Sequence, residues 1–328
     1  MSRVAVVFTG GTISMAVDPV AGGNVPTLDG AAILARTPGI EAIADLLPVD
    51  LGRTPASHFT LPRLLELGAR LRSLAADPVV DGVVVVQGTD SMEETAFCWD
   101  LVHDGPEPIV VTGAMRSSSE EGYDGPANLL DAVRAAAEPA LRDQGVLVEM
   151  AGRIHAADDV TKAHTTSIDA FESPNSGPLG VVDHGRVIVT RARAARRTIA
   201  TDEAAEPVDL LTVTVGMDGS LLDAAVDLGA RGIVVAATGG GNTTATLLAA
   251  GERAMARGIP VVLTTRVPAG RAGMGYAFPG GGATCVRAGA LLAGSLSGPK
   301  ARVALSLGVG AGLDREALAE FLADPSPG

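Results

Sequence analysis

One pattern recurs along the chain and restricts its fold more than any other: a short, uninterrupted β-branched run that ends in Gly and Thr. Val4 to Phe8 leads into Thr9-Gly10-Gly11-Thr12, and Gly82 to Val86 leads into Gln87-Gly88-Thr89-Asp90. Pro108 to Val111 leads into Thr112-Gly113-Ala114-Met115, Gly232 to Ala236 into Ala237-Thr238-Gly239-Gly240-Gly241-Asn242, and Ile259 to Leu263 into Thr264-Thr265-Arg266. Apolar runs without alternation are what strands look like when both faces of a parallel sheet are covered. Between them lie Ala/Leu/Arg segments with helical spacing: Leu61 to Leu74, Ala127 to Ala140, Thr243 to Arg257 and Arg315 to Ala323. Strand, loop and helix in alternation predict an α/β protein with mainly parallel sheets flanked by helices.

The alternation breaks at Arg191 to Pro207, a charged stretch poor in apolar residues, and restarts at Leu210. A break of that composition reads as a linker. It divides the 328 residues into a larger N-terminal domain over 1–190, a linker over 191–207 and a C-terminal domain over 208–328.

Composition removes several classes of function. The formal charge is −13 and there is no Lys/Arg run, so the chain lacks the basic footprint of a nucleic-acid or anionic-membrane partner. No apolar run approaches the roughly 18 residues of a membrane span, and a strand-like segment begins at Arg3, where a secretory leader would need its charged and apolar regions. Cys98 and Cys285 are far apart in sequence and read as two buried thiols of a reducing compartment. These features together predict a cytoplasmic globular protein. The five histidines show no ligand spacing with each other or with Cys, so no metal is expected. There is no GxSxG elbow, no GxxxxGK[ST] loop and no GxGxxG.

In open α/β sheets, ligands bind beyond the carboxyl ends of the strands. Three N-terminal strands deliver Thr9 and Thr12, Thr89 and Asp90, and Thr112 to that edge. The adjoining glycines let backbone approach a ligand and aim N–H groups at an anion or oxyanion. Asp90 is compatible with capping the helix that starts near Ser91 or Met92, and with contacting a ligand there. Lysine usage adds a second signal. Of 25 basic residues, 23 are Arg and two are Lys, Lys162 and Lys300. Arg does not titrate at neutral pH, whereas Lys can be tuned toward base behaviour. A lysine kept in an arginine chain therefore points to proton chemistry at Lys162. Lys300, in Ser297-Gly298-Pro299-Lys300, reads as a surface lysine at the start of a helix.

The motifs together resemble the bacterial-type L-asparaginase (asparaginase/glutaminase) family. The matching stretches are Thr9-Gly10-Gly11-Thr12-Ile13, Gln87-Gly88-Thr89-Asp90-Ser91-Met92-Glu93-Glu94, Asp159-Val160-Thr161-Lys162, Ser176-Gly177-Pro178-Leu179-Gly180, Gly239-Gly240-Gly241-Asn242 and Gly298-Pro299-Lys300-Ala301-Arg302. They span the chain from first strand to last helix and are nearest to the type II branch. The resemblance implies hydrolysis of L-asparagine to L-aspartate and ammonia through a threonine acyl-enzyme, with no cofactor. Thr12 matches the nucleophile. Thr89, Asp90 and Lys162 match the group that moves the proton, and Asp90 also grips the substrate α-ammonium. Ser57 matches the α-carboxylate binder, with His58 beside it, and Ala114 offers a carbonyl to the leaving amide. Asn242 matches a residue lent to a neighbouring subunit's site in a homotetramer built as a dimer of dimers.

Two departures stand out. Relatives usually carry a tyrosine in the loop after the first strand. Here the loop, Ser14 to Leu28, has none, and the only tyrosines are Tyr123 and Tyr276. The Gly22-Gly23 pair suits a lid. The stretch at Gly280 to Gly282 also lacks the glutamate that some type II relatives place there. Two other readings follow from the same residues: the amidase component of a tRNA-dependent amidotransferase, and an amino-acid binder of weak activity.

Overall fold

The computed structural model describes residues 1–324 and divides into two units between Thr198 and Ile199. In the first unit, the strands are β1 (Arg3–Phe8), a hairpin of β2 (Met15–Asp18) and β3 (Gly23–Pro26), then β4 (Asp45–Asp50), β5 (Gly82–Val86), β6 (Ile109–Thr112), β7 (Val146–Met150) and β8 (Arg153–Ala156). Two short strands, β9 (Thr161–Lys162) and β10 (Phe171–Glu172), precede β11 (Gly180–Asp183) and β12 (Arg186–Val189). The helices are α1 (Gly30–Ala35), α2 (Leu61–Ala75), α3 (Met92–Val102) and α4 (Gly125–Ala136).

Eight strands form one sheet in the order β12-β11-β8-β7-β6-β5-β1-β4. The run from β4 through β7 is parallel, and β8, β11 and β12 add antiparallel pairs at the far edge. Val83 to Val86 are wholly buried, which is why these strands read as unbroken apolar runs. Each such side chain contributes about 1.5–3 kcal/mol on burial. Register then aligns the strand ends. Asp50 pairs with Phe8, Phe8 with Val86, and Val86 with Thr112, so the turns that follow four neighbouring strands emerge side by side.

The second unit has β13 (Val208–Thr212), β14 (Gly232–Ala237), β15 (Val261–Thr265) and β16 (Leu291–Leu292) in a parallel sheet of that order. Its helices are α5 (Ser220–Asp227), α6 (Ala245–Ala256), α7 (Gly282–Ala288), α8 (Gly298–Gly310) and α9 (Arg315–Leu322). Both units are thus α/β with mainly parallel sheets, and the first is the larger. Among the described residues no helix is long and apolar enough to cross a membrane. Cys98 and Cys285 are buried free thiols, and burial pushes Cys98 up to about 12.

Three local features differ from expectation. Ser14 to Leu28 contains an antiparallel hairpin, with Met15 opposite Pro26 and Asp18 opposite Gly23, rather than a plain loop. Its base is closed by Thr27 and Leu28 N–H donating to the Ser14 carbonyl. Lys300 is not a surface lysine: it is 2% exposed within α8. Arg193, in the charged stretch, is buried in the first unit and bonds the buried Asp100 through both guanidinium nitrogens at 2.8–2.9 Å, with Asp158 at 3.0 Å. Burial is the largest single influence on Asp100 and opposes ionisation, but the Arg193 and Arg196 guanidinium groups together hold its carboxyl below the usual range.

Glycine sets how closely the aligned turns approach. Gly11 has φ +95°, and a β-carbon there would lie 2.2 Å from the Gly88 nitrogen. A left-handed position facing immovable backbone admits glycine alone. Gly11→Ala is expected to destabilise the protein by about 3 kcal/mol or more in urea unfolding, the range of severe core disruption. Gly22→Ala, at φ +70° with nothing within 4 Å, should cost only the left-handed backbone penalty of about 1–2 kcal/mol.

Candidate active site

The site is built where these turns meet. Gly11 leads into a 3₁₀ turn, Thr12–Ser14, whose N-terminal residue is Thr12. Ile13 and Ser14 are buried beneath it, Thr12 is half-buried, and the Thr12 hydroxyl has no hydrogen-bond partner among the described residues. Across the Gly11–Gly88 contact, the turn after β5 presents Thr89, which is buried, and Asp90, which is exposed. The third turn packs alongside: a β-carbon on Gly113 would lie 2.5 Å from the Gln87 carbonyl and 3.4 Å from Thr89 Cγ2. That contact packs Gly113 against Thr89, and Ala114, which follows it, is buried. The fourth turn, Ala56–His58, follows β4. The Ser91 hydroxyl donates to the Ala56 carbonyl at 2.8 Å, which holds the exposed Ser57 and His58 against the Thr89–Asp90 turn.

Lys162 reaches the site from β9. Its Nζ donates to Thr89 Oγ1 at 2.8 Å and to Asp90 Oδ1 at 2.8 Å. The lysine side chain is 16% exposed and the aspartate 75%, so the ammonium is sheltered while the carboxylate faces solvent. Glu93, in the first turn of α3, positions the lysine. Its Oε2 accepts the Lys162 backbone N–H at 2.9 Å and the Thr161 hydroxyl. Asp159 ties down the preceding segment by accepting from Asn175 and Ser176, which hold its carboxyl below the ordinary range against the opposing effect of burial.

The Ala114 turn has its own supports. Asp124 accepts the backbone N–H groups of Met115 and Arg116, each at 2.9 Å. Asn128, one turn along α4, donates from Nδ2 to the Gly113 carbonyl at 3.0 Å and to Asp124. Beneath them is Glu149 on β7, wholly buried, which accepts the Gly152 N–H at 3.0 Å and faces the Thr112 hydroxyl at 3.5 Å. Burial raises its carboxyl well above the usual range, and the charge of Asp131 raises it further.

Thus seven of the residues singled out from sequence (Thr12, Ser57, His58, Thr89, Asp90, Ala114 and Lys162) lie on one edge of the first unit. Asn242 belongs to the second unit. It closes a tight turn with Thr238, whose N–H and hydroxyl both donate to its carbonyl, and its buried side-chain Oδ1 has no hydrogen-bond partner among the described residues. Sequence reading passed over Asp124, Asn128 and Glu149. The first two were readable as an i, i+4 polar pair opening a helix, and the third as a lone acid in an otherwise apolar strand. Among the described residues no group of His, Cys, Asp or Glu could hold a metal ion. His103, His155 and His164 hydrogen-bond to Glu107, Ser173 and the Thr166–Ser167 backbone.

A family model described as Asparaginase, N-terminal, matches residues 3–195, and one described as Glutaminase/Asparaginase C-terminal domain matches residues 207–322. The chain belongs to the asparaginase family. Among its relatives is a protein named Probable L-asparaginase from Deinococcus radiodurans, 37% identical over 96% of this chain and 95% of that one. A Glutaminase-asparaginase from Pseudomonas aeruginosa is 32% identical over 82% of this chain and 77% of its own. A solved structure, the probable cytoplasmic L-asparaginase from Campylobacter jejuni, aligns with a TM-score of 0.88 at 29% identity, over 98% of this chain and 99% of that one.

Within this asparaginase, Glu149 makes stability depend on pH. Below the ordinary glutamate value of 4.5 both folded and unfolded states hold the proton, and the group has no effect. Above it the unfolded state ionises while the buried group resists, so stability falls as pH rises toward the raised native value. Glu149→Gln keeps the shape and removes the titration. Its unfolding midpoint is expected to exceed the parent's at pH 7, with the gap closing toward pH 4.

Proposed function

We propose that this chain hydrolyses the side-chain amide of L-asparagine to L-aspartate and ammonia, with Thr12 as the nucleophile of an acyl-enzyme. What carries the proposal is the Lys162 ammonium, 2.8 Å from both Thr89 Oγ1 and Asp90 Oδ1, on a turn in backbone contact with the one that bears Thr12. A threonine hydroxyl is too weak an acid to attack an amide unaided, so it needs a neighbouring proton acceptor. Thr89, with its oxygen bonded to Lys162, is the group to relay that proton. Thr12 Oγ adds to the amide carbon, and turn N–H groups take the negative charge on the carbonyl oxygen. The relayed proton goes to the departing nitrogen, the C–N bond breaks, and ammonia leaves. Water then adds to the ester, the Thr12 oxygen regains a proton, and aspartate is released.

The small zwitterionic substrate is held at both α-groups. Asp90 keeps one carboxylate oxygen on Lys162 and offers the other to the α-ammonium. Ser57, with His58 beside it, serves the α-carboxylate, and the Ala114 carbonyl receives an N–H of the amide. We assign Asn242 to a neighbouring subunit's site, in a homotetramer built as a dimer of dimers located in the cytoplasm, where two unbridged thiols are at home. Asparagine is preferred over glutamine, by no more than the roughly 1–3 kcal/mol that one methylene is worth.

Ammonia release from L-asparagine, with L-glutamine alongside, tests the activity. Thr12→Ala should abolish it, and normal turnover in that variant would remove Thr12 from the mechanism. Lys162→Arg keeps the charge but replaces the compact ammonium that bonds both Thr89 and Asp90 with a planar fork of different reach. Its kcat should fall by about 10²–10⁴-fold, the usual worth of a positioned acid–base group, with an unchanged circular dichroism spectrum.

A further inference from the structure

Every carbonyl of the turn that carries Thr12 has a hydrogen-bond donor. The Gly11 carbonyl accepts the Ser14 N–H and hydroxyl, and the Thr12 carbonyl accepts the Met15 N–H. The Ser14 carbonyl accepts Thr27 and Leu28. The Ile13 carbonyl is different: its donor is a side chain 110 residues away, the Tyr123 hydroxyl, at 2.7 Å. Thr12 therefore lies between two fixed points. Gly11 on one side is pressed against the Gly88 backbone, and the Ile13 peptide on the other is held by Tyr123.

Tyr123 is itself rigidly mounted. Its ring occupies the space a β-carbon on Gly125 would need, 2.5 Å away. Its chain neighbour Asp124 grips the Met115 and Arg116 N–H groups. Two consecutive residues immediately before α4 thus hold two separate turns, one with Thr12 and the other with Ala114. We propose that Tyr123 is a positioning residue for the amidase reaction: through the Ile13 carbonyl it fixes the Thr12 hydroxyl relative to the Ala114 turn. This rests on Thr12 being the nucleophile. Burial pushes the phenol up to about 12, so the hydroxyl stays protonated and remains a hydrogen-bond donor to the Ile13 carbonyl across the working pH range.

Tyr123→Phe removes the hydroxyl and leaves the ring over Gly125. Misplacing a reacting atom by about 1 Å can cost about 100-fold, so kcat for L-asparagine is expected to fall about 10- to 100-fold, with KM within about twofold of the parent. The loss should be the same at every pH from about 6 to 10, because the phenol stays protonated throughout that range. Rates are taken per folded molecule, counted by circular dichroism, so reduced stability of the variant does not mimic the effect. A kcat within about twofold of the parent would overturn the inference, as would a loss confined to KM or one that varies with pH. Thr12→Ala is assayed in parallel. If that variant turns over normally, the nucleophile assignment fails. If it is inactive while Tyr123→Phe is unimpaired, only the role of Tyr123 fails.

Discussion

A β-carbon at Gly11 would stand 2.2 Å from the Gly88 nitrogen, and one at Gly113 would stand 2.5 Å from the Gln87 carbonyl. Contact of backbone with backbone between successive turns is the constraint on which the site depends. Side chains could not be tolerated there, and wider spacing would part Thr12 from Thr89 and Thr89 from Ala114. The alignment of Phe8, Val86 and Thr112 in the parallel sheet puts the turns in line. Glycine then removes the last few ångströms between them. Close packing of this kind cannot deform gradually, so the groups it carries are held before any substrate arrives.

On that frame the electrostatics are layered. Asp90 lies outermost and is mostly exposed, Lys162 is sheltered behind it, and Glu93 accepts from the backbone that carries the lysine. The polar groups beneath the Ala114 turn satisfy its backbone: Asp124 takes the partly buried N–H groups of Met115 and Arg116, and Asn128 the buried carbonyl of Gly113. An unpaired buried backbone group costs about 1–3 kcal/mol, so these side chains help hold the turn in shape. Glu149 lies under the same turn with burial opposing its ionisation.

Much of the fold was legible because parallel strands buried on both faces leave an unmistakable run of β-branched residues. The site was legible where chemistry demands particular residue types: hydroxyls at the ends of strands, an acid beside one of them, and a lysine in a chain that otherwise uses arginine. Residues that act by supporting others were not. Tyr123 lies 110 positions from the carbonyl it holds, and Glu93 reads as an ordinary first-turn acid although it accepts from Thr161 and Lys162. Lys300 misled for a related reason. Composition cannot distinguish a surface lysine from one buried in a helix, because burial depends on what packs around α8.

The amino-acid sequence by itself determined the two α/β units and the strand ends at which hydroxyl and acidic residues gather, since period and turn chemistry are local properties of residues. Tertiary structure alone decided which turn touches which. It set the 2.8 Å contacts of the lysine with both Thr89 and Asp90, made a hairpin of the segment after Ser14, and brought a tyrosine from just before α4 to the turn of Thr12. Those outcomes depend on distances between segments far apart in the chain, which only the register of the sheet and the packing of its turns can fix.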